Sequence, residues 1–123
     1  MQTKKYVIVV DDDASMLKSM RRLLKAHGFE SEPFDSVVAL RGHARFDRAF
    51  CIVLDINLGD GSGIDLRRQL ADDGISLPVI YVTGNDNSRI RKAALESGCV
   101  AYLTKPFTAK SLIDPISKLA AAA

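Results

Sequence analysis

Three aspartates in a row, Asp11, Asp12 and Asp13, stand directly behind an apolar run in "YVIVVDDDAS". Carboxylates crowded within hydrogen-bond range of one another stay ionised cheaply only when a cation sits among them. Other polar groups occupy the same kind of position: Asp55 follows "FCIVL", Thr83 follows "PVIYV", and Thr104 and Lys105 follow "VAYL", with Pro106 next. All-oxygen ligands suit a hard divalent ion. Mg²⁺ fits best, with Mn²⁺ as a substitute, because Mg²⁺ keeps several waters and commonly bridges to phosphate oxygens. Softer metals are disfavoured, since His27, His43, Cys51 and Cys99 have no ligand spacing. The set therefore points to a cation and a phosphoryl group sharing one space.

Those groups can meet only if the runs that precede them lie side by side. The runs at 6–10, 50–54, 78–82 and 100–103 are short, apolar and rich in β-branched residues, and each reads as a buried strand. A fifth candidate at 29–34 is more polar and contains Pro33, which cannot donate to a ladder and so belongs at a sheet edge. Helical patterns alternate with these runs at 14–27, 36–45, 64–73, 87–97 and 109–119. Gly28, Gly74 and Gly98 follow three of them, where a left-handed residue closes the last turn. Such alternation predicts an α/β fold, a doubly wound five-stranded parallel sheet with helices on both faces. Open sheets of this class bind ligands beyond the carboxyl ends of their strands, which is where the polar residues stand. Pro115 falls inside the last helical pattern and predicts a bend there; a short alanine tail follows at 120–123.

Length and composition narrow the function classes. A chain of 123 residues accommodates one domain, taken as 1–123, with one core. Its 17 Lys and Arg against 15 Asp and Glu form no basic stripe of the kind that contacts nucleic acid. Two cysteines within apolar stretches suit buried free thiols in a reducing compartment. The opening "MQTKKYVIVVDDD" fits neither a signal peptide nor a membrane span, so the expectation is a soluble cytoplasmic protein without membrane insertion.

Taken together, the acidic pair after the first strand, "LDINLGDGSG" around Asp55, "VTG" around Thr83 and "YLTKPF" around Lys105 resemble the receiver domain of bacterial two-component response regulators, the CheY-like fold. The resemblance covers essentially the whole chain. It implies a flavodoxin-like (βα)5 sheet of order 2-1-3-4-5, an order taken from the family and not from the spacing. By the same resemblance Asp55 is the phosphoacceptor, Asp12 a direct metal ligand, Asp11 a ligand mainly through water, and the backbone carbonyl of Asn57 the third protein ligand. Thr83 matches the hydroxyl that bonds a phosphoryl oxygen, Lys105 the cation that pairs with Asp55 and then with phosphate, and Tyr102 the aromatic of a conformational switch. Pro106 matches a position preceded by a cis peptide bond. The implied partners are a sensor histidine kinase or histidine phosphotransfer protein upstream, and a downstream protein on the face of the fourth helix, fifth strand and fifth helix. The chain is then a phosphoacceptor and not an enzyme in the turnover sense. One departure is Gly59, where the family often has proline; it predicts more freedom in the "GDGSG" loop.

Simpler readings exist for each residue. One of Asp11, Asp12 and Asp13 suffices to cap the helix that follows. Lys105 alone reads as a solvated surface lysine, Thr83 alone as a strand-end hydroxyl, and Tyr102 as packing. His27 and His43 suit helix C-termini. The "GDGSG" glycines lack nucleotide-binding spacing. A phosphate-relay intermediate without allosteric output, an aspartyl-nucleophile phosphatase and a pure docking module are the rival functions. The phosphatase would need a substrate cap that this chain has no residues to build. Taken as complete, the chain would act by docking; taken as an excerpt, it would be the receiver of a longer regulator or hybrid kinase.

Overall fold

Apolar residues on both faces of a strand require cover on both sides. In β1 (Tyr6–Val10), Val7 and Val9 are buried on one face and Ile8 and Val10 on the other. The same split divides Cys51 and Val53 from Ile52 and Leu54 in β3 (Ala49–Asp55), and Ile80 and Val82 from Val79 and Tyr81 in β4 (Val79–Thr83). With β2 (Glu30–Phe34) and β5 (Ala101–Thr104) these strands form one all-parallel sheet of order β2-β1-β3-β4-β5. This is the expected doubly wound arrangement, and the strand containing Pro33 lies at its edge. The computed structural model describes residues 6–123; Met1 to Lys5, part of the stretch weighed above as a signal peptide, lie outside the described residues.

Two helix layers supply the cover. Helix α1 (Ala14–Ala26) contributes Met20 and Leu24, and α5 (Ala109–Ala122) contributes Leu112, Ile113 and Ile116, to the core beneath Val7, Val9 and Val53. Helices α2 (Val37–His43), α3 (Gly63–Asp72) and α4 (Ser88–Glu96) pack Leu40, Leu66, Leu70 and Ala94 against the opposite face. Each helix begins at a side chain that accepts a first-turn N–H: Asp13, Ser36, Ser62, Asn87 and Thr108 in order. Gly28, Gly74 and Gly98 follow α1, α3 and α4 with φ of +86°, +84° and +83°, the left-handed conformation that a side chain resists. No helix among the described residues is long and apolar enough to cross a membrane.

Three expectations change in detail. Asp55 and Thr83 are the last residues of β3 and β4, and not the first residues beyond them. Helix α5 contains Pro115 as expected but extends past residue 119 into most of the alanine tail, because alanine has the highest helix propensity. The "GDGSG" segment is not a free loop: Asn57–Leu58 pairs antiparallel with Gly61–Ser62, and the Asp60 carboxylate accepts from two amides of α2.

Candidate functional site

In the β1–β3 register Val10 lies beside Leu54, so Asp11 and Asp55 occupy the next step of two adjacent strands and continue the rows Val7–Val9 and Cys51–Val53. Period-2 alternation therefore projects both carboxylates from the same face of the sheet. Both are buried, at 1% and 4% exposure, and a buried carboxylate must find a partner. The partner is Lys105, which leaves the end of edge strand β5, beyond β4, with its N–H bonded to the Thr83 carbonyl at 2.8 Å. Its Nζ lies 2.9 Å from Asp11 Oδ2 and 3.3 Å from Asp55 Oδ2. The expected Lys105–Asp55 pair is thus a three-body arrangement in which Asp11 is nearer. The Lys105–Pro106 peptide bond is cis.

Asp12 is exposed and completes a triad: Asp11, Asp12 and Asp55 each offer an oxygen, all within 4.8 Å of one another. Asp13 is not part of it. Its carboxylate accepts from the Ser15 and Met16 amides and caps α1, which accounts for one member of the acidic run as helix capping. One ammonium paired with two carboxylates, and a third carboxylate beside them, leaves the site with surplus negative charge, and the donors are all hard oxygens. That donor set fits a divalent cation of the Mg²⁺ type. The electrostatics agree. Burial first, and the Asp11 charge with it, pushes the Asp55 carboxyl above the usual carboxylate range, against the Asn57 N–H and Lys105, which pull it down. For Lys105, burial disfavours the ammonium, but the Asp11 hydrogen bond and the two carboxylate charges outweigh it and the net shift is upward.

Asn57 joins the acidic cluster to β4. Its N–H donates to Asp55 Oδ1 at 3.0 Å and its Nδ2 donates to Thr83 Oγ1 at 3.3 Å. The Thr83 side chain is fully buried and also accepts the Asn85 N–H at 3.0 Å. The side-chain role of Asn57 has no local signature in the sequence, which drew attention only to its carbonyl. Behind Asp55, Gly63 opens α3 where a Cβ would sit 2.4 Å from the Asp55 carbonyl oxygen, so only glycine lets the helix approach the end of the strand this closely.

Tyr102 stands apart from these groups. Its hydroxyl donates to Asp86 Oδ1 at 2.8 Å, Arg91 Nη2 donates to Asp86 Oδ2 at 2.6 Å, and the Arg91 guanidinium lies 5.3 Å from the centre of the Tyr102 ring. His27 ends α1 with its Nδ1–H donating to the Leu23 carbonyl, and His43 closes α2. Cys51 is a core residue whose thiol is pushed up to about 12 by burial; Cys99 is half-buried.

The decisive comparison is with protein families: residues 7–117 match the model of the response regulator receiver domain. This chain belongs to that family. The receiver chain is 35% identical over 114 residues to nodulation protein W of Bradyrhizobium diazoefficiens, covering 93% of this chain and 50% of that protein. It is 37% identical over 114 residues to the response regulator MprA of Mycobacterium leprae, covering 92% of this chain and 50% of the relative. The receiver chain therefore spans about half the length of these relatives. Among solved structures, the crystal structure of FixJ-N matches with a TM-score of 0.86 at 30% identity, over all of this chain and 98% of that one. The response regulator StyR matches with a TM-score of 0.87 at 33% identity, over 98% of this chain and 61% of that one. Membership makes the receiver chain a phosphoacceptor signalling domain, of a family that acts between histidine kinases and downstream effectors.

Proposed function

We propose that residues 1–123 form a single cytoplasmic receiver domain in which Asp55 takes a phosphoryl group from the phosphohistidine of a sensor histidine kinase or histidine phosphotransfer protein. The observation that carries this reading is the meeting of Asp11, Asp12, Asp55 and Lys105 at the carboxyl ends of β1, β3 and β5. An Asp55 carboxylate oxygen forms the new P–O bond while the P–N bond of the donor breaks, and the imidazole leaves with the electron pair. Asp12, Asp55, the Asn57 carbonyl and, mainly through water, Asp11 would hold Mg²⁺, or Mn²⁺ in its place, and the bound ion would supply neutralisation of the phosphoryl oxygens. Lys105 faces the acceptor carboxylate with its ammonium, so it is positioned to pair with the charge that the phosphoryl group brings. Thr83 offers a buried hydroxyl that can turn from Asn57 and donate to a phosphoryl oxygen. Transfer through a loose transition state asks for positioning and charge compensation more than for proton chemistry, and these residues supply both.

Output on this reading is a changed surface on α4, β5 and α5 that docks a downstream protein, with no direct contact to nucleic acid and no membrane insertion. A relay intermediate without such output is the second reading. It is favoured by the hydroxyl bond of Tyr102 to Asp86, which ties the aromatic outside the site. Acetyl phosphate with Mg²⁺ followed by intact mass tests the shared chemistry. One acid-labile, hydroxylamine-sensitive phosphoryl group is expected on the parent and none on Asp55→Asn. A label that persists in that variant removes Asp55 as the acceptor.

A further inference from the structure

The loop that follows Asp55 reaches Asp12, Asp55 and Thr83. Asn57 reaches Asp55 through its N–H and Thr83 through its side chain, and Gly59 passes Asp12 so closely that a Cβ there would lie 3.9 Å from Asp12 Oδ2. Apart from Leu58, which is buried in the core, little within the loop holds it in that place. A ladder of two residues on each side is marginal alone, and Gly59 and Gly61 add backbone freedom. The anchor comes from elsewhere: Asp60 Oδ1 accepts the Val37 N–H at 3.1 Å and Asp60 Oδ2 accepts the Val38 N–H at 3.2 Å.

Helix α2 already has its own cap. Ser36 Oγ takes the Ala39 N–H at 3.0 Å and the Ser36 carbonyl takes the Leu40 N–H at 3.1 Å. Ser36 and Asp60 together satisfy the four amides that open α2, and the two from Asp60 also fasten the tip of the hairpin to a second element. The Val37 N–H is the main reason that the Asp60 carboxyl lies below its usual range; burial offsets part of this and the Val38 N–H adds to it. Leu58, one step from the tip, is buried in the core, and the Leu58–Gly61 and Asn57–Ser62 pairs make Asp60 and Asn57 parts of one hairpin.

We propose that Asp60 is a positioning residue for the acceptor site: its two-point grip on the start of α2 holds the 57–62 hairpin, and with it Asn57, in register with Asp12, Asp55 and Thr83. The inference rests on the function proposed above and adds to it a tether that the aspartate cluster does not contain. Its rival is that Asp60 only caps α2.

Comparing Asp60→Ala with Ser36→Ala separates the two, because both remove acceptors from α2 and only the first releases the loop. Mg²⁺ titration followed by calorimetry, on protein without phosphodonor, is the primary readout. Asp60→Ala is expected to weaken Mg²⁺ binding by roughly three- to tenfold, with a similar loss in the rate of labelling by acetyl phosphate. Ser36→Ala is expected to stay within about twofold of the parent in both. Asp60→Asn, which keeps one carbonyl acceptor and perturbs folding least, should fall between. Gly59→Pro added to Asp60→Ala should recover most of the lost affinity, since proline restricts the loop by other means. Parent-like Mg²⁺ binding in Asp60→Ala and Asp60→Asn, equal losses in Ser36→Ala, or no recovery with Gly59→Pro would each reduce Asp60 to a helix cap and overturn the proposal. A parent protein that binds Mg²⁺ yet never takes label would sink the proposed function instead, and the Mg²⁺ comparison would still decide the role of Asp60.

Discussion

Lys105 divides one ammonium between two buried carboxylates, and a third carboxylate, Asp12, stands beside them in solvent. The residue-scale consequence is that the folded protein gains from a divalent cation that the unfolded chain does not hold in place. At tenfold excess over the dissociation constant, Mg²⁺ is expected to add about 1.4 kcal/mol to the unfolding free energy, seen as a raised thermal midpoint. Asp12→Asn should cancel most of that gain and should itself stabilise the metal-free protein, because it relieves repulsion. Thermal scans of both proteins across a Mg²⁺ series, with Na⁺ as a control, read the two effects separately. A midpoint of the parent that ignores Mg²⁺ would argue against the site.

Elements bring further tests, since each places a residue that its own local sequence does not explain. Pro115 sits inside α5, where it supplies no N–H to the turn before it and crowds the carbonyl four residues back. Replacing it with alanine is expected to stabilise the protein by about 1–3 kcal/mol in denaturant titrations, the range set by how far the helix has already adapted. On the other flank of the sheet, Asp86 from the loop after β4, Arg91 from α4 and Tyr102 from β5 form one cluster. Burial first, then the hydrogen bond to ionised Asp86, pushes the Tyr102 phenol up to about 12, above the roughly 10 of an unfolded chain. A raised folded-state value means that the contribution to stability is complete below about pH 10 and is lost as pH rises toward 12. Unfolding free energies measured between pH 9 and pH 11.5 should therefore fall less steeply in Tyr102→Phe than in the parent, whereas identical slopes would show that the cluster does not hold the phenol. Tyrosinate absorbance gives the same titration directly.

At the scale of the whole molecule, the question is whether the acceptor rim and the Tyr102 cluster communicate along the β4–β5 pair. Thr83 and Thr104 are register partners, as are Tyr81 and Tyr102, so the acceptor rim and the Asp86 cluster share one strand pair. A phosphoryl group that draws the Thr83 hydroxyl away from Asn57 shifts the end of β4, and output follows only if two arrangements of Tyr102 differ in the contacts they make with it. Beryllofluoride with Mg²⁺ is expected to move amide NMR signals from Thr83 through Phe107, including those of Asp86 and Arg91 as their bonds to Tyr102 open. Thr83→Ala should shrink that response without preventing phosphorylation. Signals that move only beside Asp55 would favour the relay reading, with Tyr102 a fixed part of the surface.

Much of this architecture is legible in the sequence. The apolar runs, the polar edge strand with Pro33, an aspartate cap for α1 and the glycines after α1, α3 and α4 are local or periodic signals, and short-range sterics and burial act on them directly; that the cap is Asp13 comes from the fold. So are Asp55, Thr83 and Lys105, because each marks the end of its own strand. The strand order came from the family resemblance, since alternation alone does not say which strands are neighbours. Only the folded chain decided that Lys105 lies nearer to Asp11, 94 residues away, than to Asp55. It also decided that Asn57 bonds Thr83, that Asp60 fastens the glycine-rich hairpin to α2, and that Asp86 and Arg91 tie down Tyr102. Each of these contacts joins groups from different parts of the fold, and a shift of one residue in register or one turn of a helix would break it. Local sequence determines what each segment becomes; the geometry of packing determines which of its polar groups meet.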